Sequence, residues 1–455
     1  MKNLHYDSLI IGFGKGGKTL AGRLAKEGEK VALAEKDSTM YGGTCINVGC
    51  IPSKSLINSA SKVKCMAGRE KQSVLYSKAV KEKRRVVEML RKKNFDKLNQ
   101  LENVDIYNGT AVFSGVRQAD IQTEDEIYRI TADKIFINTG STPRIPNIEG
   151  IENTKGIYTS AEIMDLDVFP ERLVIIGGGY IGLEFASMFA SFGSKVTVLQ
   201  DGEKFLPKED DDVAQEIKSI LEAQGIEFCT GLKIERVYEE NNRPSVSFKL
   251  GGEDKVINAD AVLVATGRIP NTENLNCAAA GVNVTDRGVV ETDSMLRTTA
   301  ENIWALGDVK GGLQHTYVSL DDYRIVASQL FGEKVYNASQ RKNVPYSVFL
   351  STPYSRVGMN EREAISAGYN IKVKKLPAAA IPKAQVLNGT EGMLKAVIDA
   401  DNGKILGAML ICSESFETIN VVKLAIDMGA DYTVLRDQIF THPTMTEALN
   451  DLFDF

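Results

Sequence analysis

Two cysteines stand five positions apart in Gly42-Gly43-Thr44-Cys45-Ile46-Asn47-Val48-Gly49-Cys50-Ile51-Pro52-Ser53-Lys54. A thiol pair can hold a metal, staple a fold, or cycle between dithiol and disulfide with two electrons. A zinc half-site would need two further ligands, and no matching cysteine or histidine pair stands elsewhere in the sequence. A permanent staple is out of character, because six cysteines in 455 residues are too sparse for a disulfide framework. Redox cycling therefore leads, with an inert pair as the alternative. On a regular helix the two residues would be about 7.5 Å apart in rise alone, beyond the roughly 7 Å Cα separation that a bridge tolerates. A bridge thus requires an irregular turn, which Gly49 and Pro52 can provide. A second candidate is His442-Pro443-Thr444-Met445-Thr446-Glu447. In a chain with only three histidines, one backed by a carboxylate fits a general acid/base held in orientation. His5 and His315 lack such a context and read as structural, as do the solitary Cys65, Cys229, Cys277 and Cys412.

The elements that must position these groups are visible as an internal repeat. A short apolar strand, Asp7 to Ile11, runs into Gly12-Phe13-Gly14-Lys15-Gly16-Gly17, a helical stretch to Glu27 and a strand from Lys30 to Glu35. Leu173 to Ile176 repeats the pattern with Gly177-Gly178-Gly179-Tyr180-Ile181-Gly182, a helix to about Phe192 and a strand from Lys195 to Leu199. The first glycine and the last strand position, Gly12 to Glu35 and Gly177 to Gln200, are equally far apart in both copies. Each copy reads as the opening βαβ unit of a dinucleotide-binding fold, with glycines that admit a pyrophosphate to a helix N-terminus. Two copies imply two dinucleotides. Each closes on an apolar strand and a glycine, Lys134 to Gly140 and Ala261 to Gly267. A charged insert, about Ser59 to Leu101, reads as helices with a solvated face. Ile303 to Val309 reads as a further strand ending in Gly307-Asp308. From about Arg341 the character changes: Val344 to Gly358 reads as β structure, Ala396 to Met409 straddles a turn at Asp401-Asn402-Gly403, and Glu414 onward reads as helices.

Composition bounds the rest. With 43% hydrophobic and 25% charged residues, the chain is long enough for two or three domains with proper cores. Its formal net charge of −6 speaks against a nucleic-acid partner. No export or membrane signal is expected: the most apolar long window, Leu173 to Gly193, contains three consecutive glycines and Glu184. A cytoplasmic location is the expectation.

Together these motifs resemble the flavoprotein pyridine-nucleotide disulfide oxidoreductases, a family that includes glutathione reductase, dihydrolipoamide dehydrogenase and mercuric reductase. The resemblance covers essentially the whole chain, and the Cys45 to Lys54 stretch is highly specific to it. It implies an α/β fold: two Rossmann-like domains, FAD-binding at 1–148 with 271–336 and NAD(P)H-binding at 149–270, plus a C-terminal α+β dimerisation domain at 341–455. By the same resemblance Gly12, Gly14, Gly17 and Glu35 hold the ADP half of FAD, and Asp308 the flavin side of the pyrophosphate and ribityl chain. Gly177, Gly179 and Gly182 hold NADPH or NADH. Gly43, Thr44, Gly140, Gln200 and Gly267 complete the cofactor-contacting set. Tyr180 matches a tyrosine that gates the nicotinamide pocket, and Lys54 with Glu184 an ion pair beside the flavin. His442 and Glu447 match an acid/base pair contributed by the partner subunit, which implies a homodimer. Cys50 is then the sulfur near the flavin, and Cys45 the thiolate facing substrate, its pKa expected to be lowered by nearby positive charge.

Within the family, Gly311 to Arg324, Arg341 to Met359 and Leu435 to Phe453 closely resemble the bacterial reactive-chlorine-resistance flavoproteins. These are a mercuric-reductase-like branch that reduces copper(II), which implies Cys45 and Cys50 as ligands of a substrate metal. The absence of a cysteine-bearing metal domain before Met1 to Ile11, and of any cysteine after Cys412, argues against an ordinary mercuric reductase. Gly22-Arg23, where glutathione reductases carry two arginines, argues against glutathione. Gln200 removes the carboxylate that favours NADH, and Lys204 is the only nearby cation for a 2′-phosphate, a weak lean towards NADPH.

Overall fold

The computed structural model describes residues 1–63, 69–332 and 336–455; Cys65 lies outside the described residues. The chain divides into two compact units, one built from 1–55, 80–144 and 267–340, the other from 56–79, 145–266 and 341–455.

In the first unit the strand Lys2–Ile11 lies between Val31–Glu35 and Ile127–Ile137, parallel to both, with Ile11 opposite Ala34 and Ile137. Val104–Asn108 extends one side of the sheet, Ile303–Ala305 pairs parallel with Ile127–Ile137, and Gln118–Gln122 and Thr110–Gly115 continue it antiparallel. The central strands are apolar at successive positions because both faces are covered. Ile10, Leu33 and Phe136 pack on one side with Leu20 and Leu24 of the helix Lys15–Lys26. Leu9, Ile11, Ala32, Ala34, Ile135 and Ile137 pack on the other. Each such wholly buried Leu or Phe contributes about 1.5–3 kcal/mol, so the loop between strand and helix is anchored at both ends.

The second unit repeats the theme. Arg172–Ile176 lies between Lys195–Leu199 and Ala261–Val264, flanked by Glu227–Cys229 and Ile157–Thr159, all parallel. The helix Tyr180–Phe192 follows the second glycine loop. A three-stranded antiparallel sheet, Lys233–Glu240, Arg243–Leu250 and Glu253–Asn258, adds to it. Residues 341–455 form a five-stranded antiparallel sheet in the order Tyr346–Val348, Tyr354–Gly358, Ile405–Ile411, Met393–Asp399, Ile371–Pro377. Ile419 and Val422 of the helix Ser415–Asp427 pack on Leu394, Ala396 and Leu410 of that sheet. The turn at Asp401-Asn402-Gly403 joins its two most buried strands, where the sequence places it.

Three element boundaries move. The charged insert is two helices, Cys50–Val63 and Arg69–Asn99, the first beginning at the second cysteine itself. The strand expected from Lys134 starts at Ile127, because its outer half pairs with Gln118–Gln122. The strand expected over Ile303 to Val309 ends at Ala305 and gives way to a tight helical turn, Gly307–Lys310.

Candidate active site

Both glycine loops follow one backbone path. Gly12 has φ +105°, and a Cβ there would meet the Asn138 carbonyl oxygen at 2.3 Å; Gly177 has φ +112°, and its Cβ would meet the Ala265 carbonyl oxygen at 2.5 Å. Only glycine satisfies both the positive φ and the close approach. Further on, a Cβ at Gly17 or Gly182 would meet the carbonyl oxygen of Gly12 or Gly177 at 2.8 and 2.1 Å, so helix and turn are in backbone contact.

These loops fit dinucleotides. Gly14 and Gly179 are the caps of their helices, neither is capped by a side chain, and neither helix has an acidic residue in its first turn. In the first copy the Gly16 and Gly17 amides donate to Ser319 Oγ (3.1 Å) and Asn138 Oδ1 (2.9 Å). Among the described residues the amides of Gly14 and Lys15 are left for an anion, which a helix N-terminus favours. In the second copy Gly179 is exposed, and nothing lies within 4 Å of where its Cβ would stand. Glu35 ends its strand with Oε2 accepting from the Phe13 amide at 2.9 Å, and burial pushes its carboxyl up against those hydrogen bonds. Gln200, its counterpart, closes its own turn by donating to the carbonyls of Gly202 (2.9 Å) and Lys204 (3.0 Å). Lys204 is already paired with Asp211 at 2.5 Å, which weakens the case for it as a phosphate ligand.

The cysteine loop packs directly on the first glycine loop. Gly43, at φ +80°, is so close that a Cβ there would stand 2.8 Å from Gly14 Cα. Thr44–Asn47 form one helical turn, Val48 and Gly49 break it, and a new helix starts at Cys50. That irregular turn brings Cys45 and Cys50, unbridged here, within hydrogen-bonding reach of each other. Asn47 fixes the loop by donating to the carbonyls of Tyr41 (3.0 Å) and Gly43 (2.9 Å), while Arg91 Nε donates to Asn47 Oδ1 at 2.8 Å. Lys18 Nζ reaches the Gly42 carbonyl (3.4 Å) and Asn94 Oδ1 (2.5 Å), and burial lowers its pKa to about 8.

One expectation is corrected. Cys45 is not lowered: its hydrogen bond with Cys50 is the largest effect, burial the next, and both push the thiol up, with Thr316 and the Lys18 charge opposing them. The two sulfurs titrate as a pair, and their hydrogen bond together with burial holds the Cys45 thiol protonated in the reduced state.

The surroundings of His315 are more polar than its sequence context. The sequence offers it no chemical context, yet its ring stacks on Tyr317 (4.9 Å, 10°), and the intervening Thr316 puts Oγ1 3.8 Å from Cys50 Sγ. Burial lowers the His315 pKa, helped by Lys54 and opposed by Asp308, which favours a neutral ring. Asp308 accepts from Ser141 Oγ at 2.8 Å, and Arg268 Nε donates to the same hydroxyl at 2.9 Å. Gly140 and Gly267 flank this group, both at positive φ with no atom within 4 Å of a Cβ position. Thr316, Arg268, Ser141, Arg91, Asn94 and Lys18 were not foreseen; they come from five separated stretches.

The remaining predicted residues are placed as follows. Lys54 is half-buried on the Cys50–Val63 helix of the first unit. Glu184 is buried in the second, where its Oε1 accepts from the Phe349 amide at 2.9 Å. Tyr180 opens the helix behind the second loop and donates to Glu209. His442 Nδ1 meets Glu447 Oε2 at 2.8 Å, the ring exposed and the carboxylate shielded. Cys277 and Cys412 are buried and Cys229 half-buried; burial pushes all three thiols up, Cys412 to about 12. His5 is an exposed strand residue beside Thr131. Among the described residues no cluster of His, Cys, Asp and Glu could hold a resident metal, and no helix is long and apolar enough to cross a membrane.

Two dinucleotide loops, one carrying a thiol pair at its lip, define an oxidoreductase that joins a flavin, a pyridine nucleotide and a redox-active dithiol. The chain belongs to the pyridine nucleotide-disulphide oxidoreductase family: that family's model matches residues 6–322, and the family's dimerisation domain matches 344–453. It is 48% identical over 448 residues to the probable pyridine nucleotide-disulfide oxidoreductase RclA of Escherichia coli, covering 98% of each chain. A mercuric reductase of Staphylococcus aureus is 33% identical, over 98% of this chain and 81% of that one. Among solved structures, the Cu(II) complex of the HOCl-induced flavoprotein disulfide reductase RclA from Escherichia coli superposes with a TM-score of 0.94 at 48% identity, covering 99% of each chain.

Proposed function

We propose that this flavoprotein reduces Cu(II) to Cu(I), and Hg(II) as a second soft acceptor, with electrons from NADPH or NADH, as a defence against reactive chlorine and related oxidants. The observation that carries the reading is the unbridged Cys45–Cys50 pair packed through Gly43 onto the Gly14 loop. The choice of metal is supported by the likeness to the Cu(II) complex of RclA. FAD, when bound, supplies two-electron exchange between a nicotinamide nucleotide and the thiol pair.

The chain's own part is the step beyond. Two thiols close to a disulfide, release two protons and give one electron to each of two Cu(II) ions, so atoms and charge balance. Soft sulfur ligands favour Cu(I) over Cu(II), which drives the transfer. Because the Cys45 thiol is held protonated, its proton needs an acceptor as the disulfide closes. His442, oriented through Nδ1 by Glu447, keeps Nε2 available for it. In this reading His442 and Glu447 come from the partner subunit of a homodimer, 1–148 with 271–336 hold FAD, 149–270 hold the nicotinamide nucleotide, and 341–455 form the interface. Gln200 without a carboxylate, and Lys204 committed to Asp211, favour use of both coenzymes. The working compartment is the cytoplasm.

A second reading, reduction of a small disulfide such as lipoamide, is favoured by the His442–Glu447 hydrogen bond, since a departing thiolate needs a proton and a metal does not. Steady-state rates with Cu(II), Hg(II), lipoamide and oxidised glutathione on one preparation decide between them. Copper reduction above the oxygen-driven background is expected; fast lipoamide turnover with no copper rate would refute the assignment.

A further inference from the structure

Glu209 lies between the strand Lys195–Leu199 and the helix Asp211–Ala223, its side chain wholly buried. Four donors converge on its carboxylate: the hydroxyls of Tyr180, Tyr346 (2.5 Å) and Tyr354 (2.5 Å), and Arg356 Nη1 (3.2 Å). Arg356 also pairs with Glu363, so the buried charge is compensated. Burial is the largest effect on all three phenols and pushes them up, which keeps them protonated donors.

The three tyrosines are not equivalent. Tyr354 is wholly buried on the strand Tyr354–Gly358, and Tyr346 on the neighbouring strand is partly covered. Tyr180 is the first residue of the Tyr180–Phe192 helix and follows Gly179, whose surroundings are open. Its ring leans on that of Tyr346 (5.5 Å, 33°), and its hydroxyl also lies 3.2 Å from the Tyr346 hydroxyl. A half-exposed tyrosine at a helix start has other staggered rotamers to visit, and one turned toward Gly179 would cover the amides an incoming pyrophosphate needs.

We infer that Glu209 is a positioning residue for the nicotinamide nucleotide: by tethering the Tyr180 hydroxyl it keeps that ring out of the approach to the Gly177–Gly179 loop. The inference rests on the reading of that loop as a nucleotide site, and it makes residues 346–356 part of the apparatus that keeps the site open.

The test uses the FAD-loaded protein and equilibrium binding of NADP+ and NAD+ by calorimetry, with no metal present. Tyr180→Phe severs the tether and Glu209→Gln strips it of its charge, and each is expected to raise Kd about five- to tenfold, the loss of one charge-assisted hydrogen bond. The double variant should match either single one. Anaerobic reduction of the Glu209→Gln protein by NADPH should show a raised KM and, at saturation, a limiting rate near wild type. Tyr354→Phe removes a donor from the same carboxylate at a buried ring; it should lower Tm without moving Kd. The inference is overturned if Glu209→Gln leaves Kd within twofold of wild type, if the two substitutions add, or if Tyr354→Phe moves Kd equally. A wild-type chain that binds neither nucleotide overturns the underlying reading together with it, whereas wild-type binding with an indifferent Glu209→Gln sinks this inference alone.

Discussion

The Gly12 and Gly177 loops share a backbone path, down to a positive-φ glycine pressed against a carbonyl, but they have different neighbours. Against the first lies the cysteine loop, held by Asn47, Arg91, Lys18 and Asn94, with Thr316 beside Cys50. Beside the second stands a tyrosine tethered to a buried glutamate. In the proposed function one fold motif serves two ends of an electron path, and what is packed beside each copy sets its part.

Substitutions can break that contrast at either end. Cys45→Ser should have the largest effect, lowering copper turnover by at least about a thousandfold, roughly 4 kcal/mol of barrier. Bound flavin and its reduction by NADPH should be retained, measured by visible absorbance and anaerobic stopped flow. Equal copper activity would refute the thiol mechanism. Gly12→Ala and Gly177→Ala impose the same insult at the two loops, a β-carbon in a left-handed conformation against a carbonyl, at about 3 kcal/mol or more each. The first should lose FAD on gel filtration. The second should keep FAD while binding NADP+ at least about tenfold more weakly, a deficit that calorimetry resolves. Identical phenotypes would mean that the loops are not functionally distinct.

Lys18 distinguishes the first loop by a buried amine. Its folded pKa of about 8 lies below the ordinary lysine value, so between about pH 8 and 10.5 the unfolded chain binds more protons and stability from this group rises with pH. Lys18→Met should remove about 1–3 kcal/mol of that rise, read as the wild-type minus variant difference in urea unfolding at pH 7.5 and 10. A difference independent of pH would contradict the burial of this amine. The smallest effect is expected at the second loop. Gln200→Glu restores a carboxylate at the strand end and should shift the kcat/KM ratio toward NADH by about 1 kcal/mol, roughly fivefold; a shift toward NADPH would show that the ribose is held elsewhere.

Much of this was legible beforehand because the signals are local. Glycine spacing, strand periodicity and the Cys45–Cys50 interval depend on residues near one another in the chain, so the two βαβ units, the turn at Asp401-Asn402-Gly403 and the need for an irregular turn at Gly49 followed from the sequence. His442 and Glu447 lie within one turn of chain, and their hydrogen bond was readable for the same reason. The charges around His315 were not readable, because Lys54 and Asp308 lie far away in the sequence and meet it only in the fold. Glu209 was invisible for the same reason: Tyr180, Tyr346, Tyr354 and Arg356 come from three separate elements.

The sequence by itself determined the repeated dinucleotide folds, the identity of the thiol pair and the family, since backbone conformation and apolar periodicity are written in short stretches. The tertiary structure alone decided the electrostatics. The raised Cys45 thiol, the depressed Lys18 and the four donors gathered on Glu209 depend on burial and on distances between chain-remote groups, because desolvation and Coulomb energies act through space and not along the chain.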